Sequence, residues 1–174
     1  YPLPEAQLDR FMFNIVVTYT SHADENRIVM ATTATKKPKL DKALSAEQVR
    51  SLQQLVRHTP APPSVVRFAS ALARATRPQD KTAPDFIKQY VNYGASVRAA
   101  QALILGAKAR ALLQGRCHVG YEDVQALARP VLRHRLILNF QAQSEKVTTD
   151  KIIEQLVAAG DTVELNQIIA EVET

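Results

Sequence analysis

Residues 11–19 (FMFNIVVTY) constrain the fold of this chain more than any other segment. The run is apolar, aromatic and β-branched, which predicts a β-strand. Phe13, Ile15 and Val17 would lie on one face of that strand and Val16 on the other. A strand with apolar residues on both faces is typical of the interior of a larger sheet. No second run of this kind follows, so the sequence predicts a sheet whose other strands are not in this chain.

Helical patterns fill most of the remaining sequence. The longest covers residues 97–114 and is apolar nearly all round, which is typical of a helix at the centre of its domain. Ser45 and Gln48 have the spacing of a capping box at the start of another helix. Further helical patterns lie at residues 64–77, 121–136, 146–159 and 163–172.

We therefore predict a mainly α chain in three parts. Residues 1–20 carry the strand, residues 21–145 form a helical bundle, and residues 146–174 form a helical tail. No stretch of about 20 apolar residues predicts a membrane-spanning helix. The sequence starts at Tyr1 without a Met or a signal sequence, and we expect a piece of a longer protein.

The sequence contains no complete catalytic or metal site of a recognisable kind. It has no G-x-x-x-x-G-K-[ST], G-x-G-x-x-G or G-x-S-x-G motif. Cys117 is the single cysteine, which excludes an intrachain disulfide and a cysteine-based zinc site, and the four histidines lie far apart. We expect Cys117 to be a buried small hydrophobe. A reducing, cytoplasmic location fits this cysteine content.

Positive charge is concentrated in residues 98–135. The whole chain carries a net charge of +5, and this segment alone has seven basic and two acidic residues. Such an excess indicates a surface for phosphate, nucleic acid or an acidic partner, or else a bundle with arginine-rich solvent faces. One candidate function is a basic helical nucleic-acid-binding module, although Tyr121 is the only aromatic residue in the segment. Another is a free-standing helical adaptor, which would leave the strand at residues 11–19 without a partner.

Four motifs resemble, in order and spacing, those of the MoxR group of AAA+ ATPases. LPEAQLDRF at residues 3–11 resembles the end of that family's ATPase core. GASVRA at residues 94–99 is similar to its GASPRA motif, with Val97 in place of the proline. GRCHV and EDV within residues 115–124, and VLRHRL at residues 131–136, complete the set.

The resemblance covers about residues 1–159 and implies the end of an αβα AAA+ core followed by a helical-bundle lid domain. It implies a parent protein that hydrolyses ATP with Mg²⁺, both bound mainly by an upstream core. This chain alone lacks the Walker A and Walker B motifs and is expected to be inactive. MoxR-type ATPases are chaperone-like machines that assemble or activate client protein complexes. The resemblance therefore implies a homo-oligomer, expected to be a hexameric ring, with clients that include proteins with a von Willebrand factor A domain.

The resemblance also assigns two site residues. Arg10 matches the arginine finger, which would act in trans by stabilising charge on the γ-phosphoryl oxygens at the neighbouring subunit's site. Arg98 matches the sensor 2 arginine, which would contact a nucleotide phosphate in its own subunit. The alternatives are a salt bridge at the edge of the core for Arg10 and a solvent-facing side chain for Arg98. We expect the basic residues of VLRHRL, namely Arg133, His134 and Arg135, to pair with acidic residues inside the bundle.

Overall fold

The computed structural model describes residues 3–35, 39–81 and 83–161, and the predicted helix at residues 163–172 lies outside them. The described residues form helices joined by loops, together with one small sheet. In chain order the elements are α1 (Glu5–Leu8), α2 (His22–Thr33), α3 (Ala46–His58), α4 (Pro63–Ala75), α5 (Asp85–Tyr90), β1 (Val91–Tyr93), α6 (Val97–Leu113), α7 (Tyr121–Leu132), β2 (Ile137–Leu138), α8 (Phe140–Ser144) and α9 (Thr149–Asp161). None of the described helices has the length and apolar character needed to cross a membrane.

α6 is the central helix, as its apolar surface predicts. It packs mainly against α7 and α4, with α3 also in contact. Ala99 and Leu103 are fully buried on it. At Gly106 an added Cβ would lie 2.8 Å from Leu127 Cδ1 and 3.0 Å from Phe13 Cζ. The glycine therefore allows α7 and the segment before α2 to approach the α6 backbone closely.

The core around α6 is built from α4, α7 and α9. Its largest fully buried side chains on these three helices are Leu72, Val124, Val131, Leu132, Ile152, Ile153 and Leu156. Full burial of one such side chain contributes about 1.5–3 kcal/mol. α9 packs against α7 and α4 through this cluster. The division of the chain at residues 20 and 145 stays a prediction.

The start of α3 follows the capping residues that the sequence offers. The Gln48 N–H donates to Ser45 Oγ at 3.1 Å, and the Ser45 N–H donates to Gln48 Oε1 at 2.7 Å. This reciprocal pair satisfies two of the unpaired N–H groups at the start of α3. The capping box predicted from the sequence is confirmed.

A two-stranded antiparallel sheet ties α5 to α8. Val91 pairs with Leu138, and Tyr93 pairs with Ile137. The strands are two and three residues long, which is too short for an alternating pattern to be visible in the sequence.

The strand predicted at residues 11–19 does not form in the structure. The residues have no regular secondary structure, and most of their apolar side chains are exposed, including Ile15, Val17 and Tyr19. The physical reason is that a strand needs a neighbour for its N–H and C=O groups, and the one sheet among the described residues lies elsewhere. The sheet that would accept this strand remains a prediction about residues outside this chain.

Cys117 is also placed differently from its expectation. It lies in the loop between α6 and α7 and is exposed rather than buried. The loop lies at the surface because Gly115, with φ of 73°, turns the chain sharply away from the end of α6.

Candidate functional site

The loop before α6 is fixed by the end of α4. Thr76 Oγ1 donates to the Ala73 carbonyl at 2.7 Å and accepts the Ala95 N–H at 2.8 Å. Arg77 Nε donates to the Ala95 carbonyl at 2.8 Å. A Cβ at Gly94 would overlap the Thr76 carbonyl group, so only glycine fits there. The start of α6 is therefore set by hydrogen bonds from two side chains to backbone and by the close approach of Gly94 to the Thr76 carbonyl.

Arg98 lies in the first turn of α6. Ser96 caps the helix, and its Oγ accepts the Arg98 N–H at 3.1 Å. The Arg98 side chain is 53% exposed, and its Nη1 lies 3.5 Å from Asp9 Oδ2. A helix N-terminus favours negative charge, and a half-exposed guanidinium beside it adds a positive charge. This position can bind an anion such as a phosphate.

Arg10 lies in the turn that follows α1. Its backbone N–H donates to the Gln7 carbonyl at 3.1 Å, and its side chain is exposed. That side chain makes no hydrogen bond or ion pair with another described residue, so the salt bridge considered from the sequence is not seen there. Arg10 directly follows Asp9, the residue that pairs with Arg98. The structure thus brings both predicted arginines to one junction between the segment before α2 and the bundle.

Asp9 is the centre of this junction, and sequence reasoning missed it. Its Oδ1 accepts Arg135 Nε at 3.0 Å, and its Oδ2 accepts Ser96 Oγ at 2.9 Å. With Arg98 also near Oδ2, one carboxylate joins three partners that are 87 to 126 residues away along the chain. The first motif contains Asp9 next to Arg10, so the sequence did point to this segment. No pattern in the neighbouring residues identifies Arg135, Ser96 and Arg98 as the partners of Asp9.

Arg135 clamps the segment around Asp9 to the end of α7. Its side chain is 2% exposed and donates to the carbonyls of Asp9 at 3.0 Å, Phe11 at 2.6 Å and Met12 at 3.3 Å, and also to Val131. Burial lowers the pKa of Arg135, and the hydrogen bond that Arg135 donates to Asp9 opposes that shift. A guanidinium titrates far above neutral pH, so the clamp stays charged.

Arg133 and His134 extend the same clamp. Arg133 forms a two-point ion pair with Asp150, with distances of 2.7 and 2.8 Å, and its Nη1 donates to the Asn14 carbonyl at 3.2 Å. His134 Nε2 lies 2.9 Å from the Phe11 carbonyl, which can only accept, so Nε2 carries the proton. Both arginines pair with acidic residues as predicted, but the partners Asp150 and Asp9 lie outside the predicted bundle of residues 21–145, and His134 contacts backbone instead. Burial is the largest cause that lowers the pKa of His134.

A second carboxylate, which is fully buried, explains the third motif. Asp123 is fully buried and accepts hydrogen bonds from Arg116 at 2.5 and 2.7 Å, from Arg110 at 2.6 Å and from the Gly120 N–H at 2.9 Å. Burial alone would raise its pKa, but these donors outweigh it and hold the pKa at about 2. Asp123 therefore fixes the turn between α6 and α7 and is not a catalytic acid.

The basic residues of 98–135 are engaged within the chain. Lys108 Nζ donates to the Arg57 carbonyl at 3.0 Å. Each arginine of the segment has an acidic partner: Asp9 for Arg98 and Arg135, Asp123 for Arg110 and Arg116, Glu154 for Arg129, and Asp150 for Arg133. The charge excess is thus distributed over structural ion pairs rather than gathered in a free patch.

Two cavities border the segment before α2. A cavity of about 140 Å³ at the junction is lined by residues that include Asp9, Ser96 and His134. A larger apolar cavity of about 620 Å³ lies between α3 and α6. The small one is below the usual size of a ligand pocket, and neither is lined by Arg10 or Arg98. Among the described residues, no group of three or more His, Cys, Asp or Glu could hold a metal ion.

Comparison with known proteins assigns the family. The family model described as "AAA lid domain" matches residues 85–156. Chaperone MoxR1 of Mycobacterium tuberculosis is 34% identical over 170 residues, which cover 98% of this chain and 44% of that protein. The chain belongs to the MoxR-type AAA+ ATPases. It is also similar to the uncharacterized protein YeaC of Bacillus subtilis, with 31% identity over 91% of this chain and 47% of that protein.

A solved structure supports the same family. A crystal structure of a candidate ATPase from Cytophaga hutchinsonii superposes with a TM-score of 0.84 and 33% sequence identity, over 91% of this chain and 48% of that one. The mainly helical fold is therefore that of an AAA+ lid domain. The chain spans about half the length of the relatives that it matches.

Proposed function

We propose that this chain is the lid-bearing part of a ring-forming ATPase that couples ATP hydrolysis to chaperone-like remodelling of client proteins. The observation that carries the proposal is the junction at Asp9, whose carboxylate lies beside Arg98 and whose backbone is followed directly by Arg10. Family membership supports the ATPase, and the name of the MoxR1 relative supports the chaperone-like role. A ring of six subunits, a cytoplasmic location and clients with a von Willebrand factor A domain are parts of the same proposal.

Arg98 is proposed to contact a phosphate of the nucleotide bound by its own subunit. The loop before α6 fixes the position of its backbone, while its side chain stays half exposed and loosely paired. An arginine held in this way can exchange a carboxylate for a phosphate without unfolding anything around it. Contact between Arg98 and the phosphate would then pull on α6 and through it on the whole bundle.

Arg10 is proposed to act at the nucleotide site of the neighbouring subunit. During hydrolysis, charge develops on the γ-phosphoryl oxygens, and a positioned guanidinium stabilises it. The turn after α1 presents Arg10 to the outside, and the clamp from Arg135 keeps that turn in place. Mg²⁺ would be held outside the described residues of this chain, since these include no cluster of acidic or histidine ligands.

The test is a mixing experiment with the full-length protein. Arg10→Ala subunits are mixed with subunits whose P-loop is disabled. Activity is expected to return, because some interfaces then pair an intact P-loop with an intact finger. Arg98→Ala subunits mixed with the same partners should stay inactive, since both defects fall on a subunit's own nucleotide site. Arg50→Ala, which removes an exposed arginine of α3, is the control and should keep full activity.

The expected losses of ATPase rate are large enough to show whether Arg10 and Arg98 take part in hydrolysis. Removing one donor to developing charge commonly lowers a rate by about 10²–10³, and an arginine finger can be worth about 10³–10⁵. If neither mutant is rescued by mixing, Arg10 is structural and some other residue is the finger.

A nucleic-acid function is less favoured, because the basic segment is used in internal ion pairs. Salt-sensitive binding of random DNA or RNA in a gel shift would revive it.

A further inference from the structure

Asp9 holds two arginines in very different ways. Arg135 is buried and also donates to several backbone carbonyls, so it cannot leave Asp9 without disrupting the clamp. Arg98 is 53% exposed and lies 3.5 Å from Asp9, at the long end of an ion pair. Of the two arginines, Arg98 is therefore the one that can leave Asp9 and bind another anion instead.

The oxygen that faces Arg98 has a second partner of its own. Ser96 Oγ donates to Asp9 Oδ2 at 2.9 Å, while Arg135 Nε donates to Oδ1 at 3.0 Å. When Arg98 leaves, Oδ2 keeps the Ser96 hydroxyl, so the carboxylate is not left unpaired. The junction can thus exist with Arg98 on Asp9 or away from it, and the two arrangements differ by one exposed ion pair.

Asp9 is also the residue next to Arg10. The turn that carries Arg10 is held to the bundle by the bonds of Asp9 and by the Arg135 contacts with the Asp9 and Phe11 carbonyls. A change in the partners of Asp9 therefore acts directly on the backbone that positions Arg10.

We infer that Asp9 is a positioning residue that pairs with Arg98 in the absence of nucleotide and releases it to a nucleotide phosphate, so that occupancy in one subunit sets the position of Arg10 at its neighbour. The inference rests on the proposed function of Arg98 and Arg10. It adds a residue that touches no nucleotide and connects the two sites through the bundle. ATP must compete with Asp9 for Arg98, so the pair weakens nucleotide binding, while the bonds of Asp9 to Arg135 and Ser96 hold the turn that carries Arg10.

The first test measures binding of the non-hydrolysable analogue AMPPNP, with Mg²⁺, to the full-length protein. Asp9→Asn is expected to lower the Kd by roughly two- to five-fold, the value of an exposed ion pair. In an Arg98→Ala background the same change should have no effect, because the competing pair is already gone. Glu5→Gln removes an exposed carboxylate from α1, the short helix just before Asp9, and should leave the Kd unchanged in both backgrounds.

The second test measures turnover and mixing. Asp9→Asn should lower kcat by about ten-fold or more, since small displacements of a catalytic group carry penalties of up to about 10². Tighter binding together with slower turnover is a split that a damaged fold would not produce. Arg98→Ala subunits should rescue Arg10→Ala subunits on mixing, because they supply an intact finger. Asp9→Asn subunits should not.

A second variant covers the case in which Asp9→Asn does not fold. Ser96→Gly keeps the Asp9–Arg135 pair and removes the hydroxyl that competes with Arg98 for Oδ2, and glycine is nearly as good a helix cap as serine. It should raise the Kd for AMPPNP about two-fold when Arg98 is present and leave it unchanged in Arg98→Ala.

The outcomes separate the two proposals. If Arg98→Ala binds AMPPNP as tightly as the wild type, the proposed role of Arg98 and the inference both fall. If Arg98→Ala weakens binding but Asp9→Asn has the same effect with and without Arg98, the inference alone is overturned. Rescue of Arg10→Ala by Asp9→Asn subunits, or an unchanged kcat for Asp9→Asn, overturns the link from Asp9 to Arg10.

Discussion

Replacing Asp123 by Asn is predicted to destabilise the helical bundle in a way that depends on pH. The carboxylate is fully buried and holds Arg110, Arg116 and the Gly120 N–H together at the start of α7. Burial by itself would raise its pKa, but these donors hold the pKa at about 2, against an ordinary value of 3.8. The folded protein therefore favours the ionised form of Asp123 more than the unfolded chain does.

The two pKa values set the size of the effect. Their difference of about 1.8 corresponds to about 2.5 kcal/mol of folding free energy at pH 7. Since the pKa is lower in the folded state, this stability is complete well above pH 4 and disappears as the pH falls through 2. The same linkage gives about 1.3 kcal/mol at pH 3 and about 0.4 kcal/mol at pH 2.

Urea unfolding followed by circular dichroism measures this contribution. Asp123→Asn should lose about 2.5 kcal/mol or more at pH 7, and the loss should be about 1 kcal/mol smaller at pH 3. Glu122→Gln is the matched control, because Glu122 is the neighbouring acid and pairs with Arg116 at 3.0 Å but is 61% exposed. The control should cost less than about 1 kcal/mol. An equal loss for Asp123→Asn at both pH values would refute the reasoning.

Three further predictions follow from the contacts around the junction. Gly94→Ala should destabilise the protein by about 1–3 kcal/mol in thermal unfolding, because its Cβ overlaps the Thr76 carbonyl; an unchanged Tm would contradict this. Arg133→Ala should speed hydrogen exchange at the Asn14 N–H, which donates to Pro130 at 2.8 Å, by removing the Arg133 bond to the Asn14 carbonyl. Exchange as slow as in the wild type would show that the bond is dispensable. The isolated chain should show no ATPase activity and bind ATP no more tightly than about millimolar in calorimetry, since it has no P-loop; a micromolar Kd would overturn that expectation.

The sequence predicted features that depend on neighbouring residues and missed contacts between residues that are far apart in the chain. The central position of α6 followed from its apolar surface, and the capping box of α3 followed from two residues three apart. The role of Asp9 did not follow, because its partners are about 90 to 130 residues away and no periodicity connects them. The strand at residues 11–19 was predicted from composition alone, although a strand also needs a pairing edge that this chain does not offer among its described residues.

The candidate site shows the same limit. Motif order was enough to single out Arg10 and Arg98, but not to say that the carboxylate of Asp9, next to Arg10 in the chain, lies beside Arg98. For Cys117, small size and low polarity suggested burial, whereas the sharp turn at Gly115 puts the loop at the surface. Such outcomes depend on how whole helices are arranged, which a local pattern does not encode.

The small residues of α6 give that helix the properties of a stiff lever. Its 17 residues make a rod of about 25 Å, and Ala99 and Gly106 let other elements lie directly against its backbone. A helix packed this closely is easier to rotate as a whole than to bend, because bending would open gaps between the helix and the elements packed against it. A tilt of about 5° at the Arg98 end would move the other end by about 2 Å. A change in the ion pair of Arg98 at the start of α6 would then shift the other end of the helix. That end is held by the ion pair between Arg110 and Asp123.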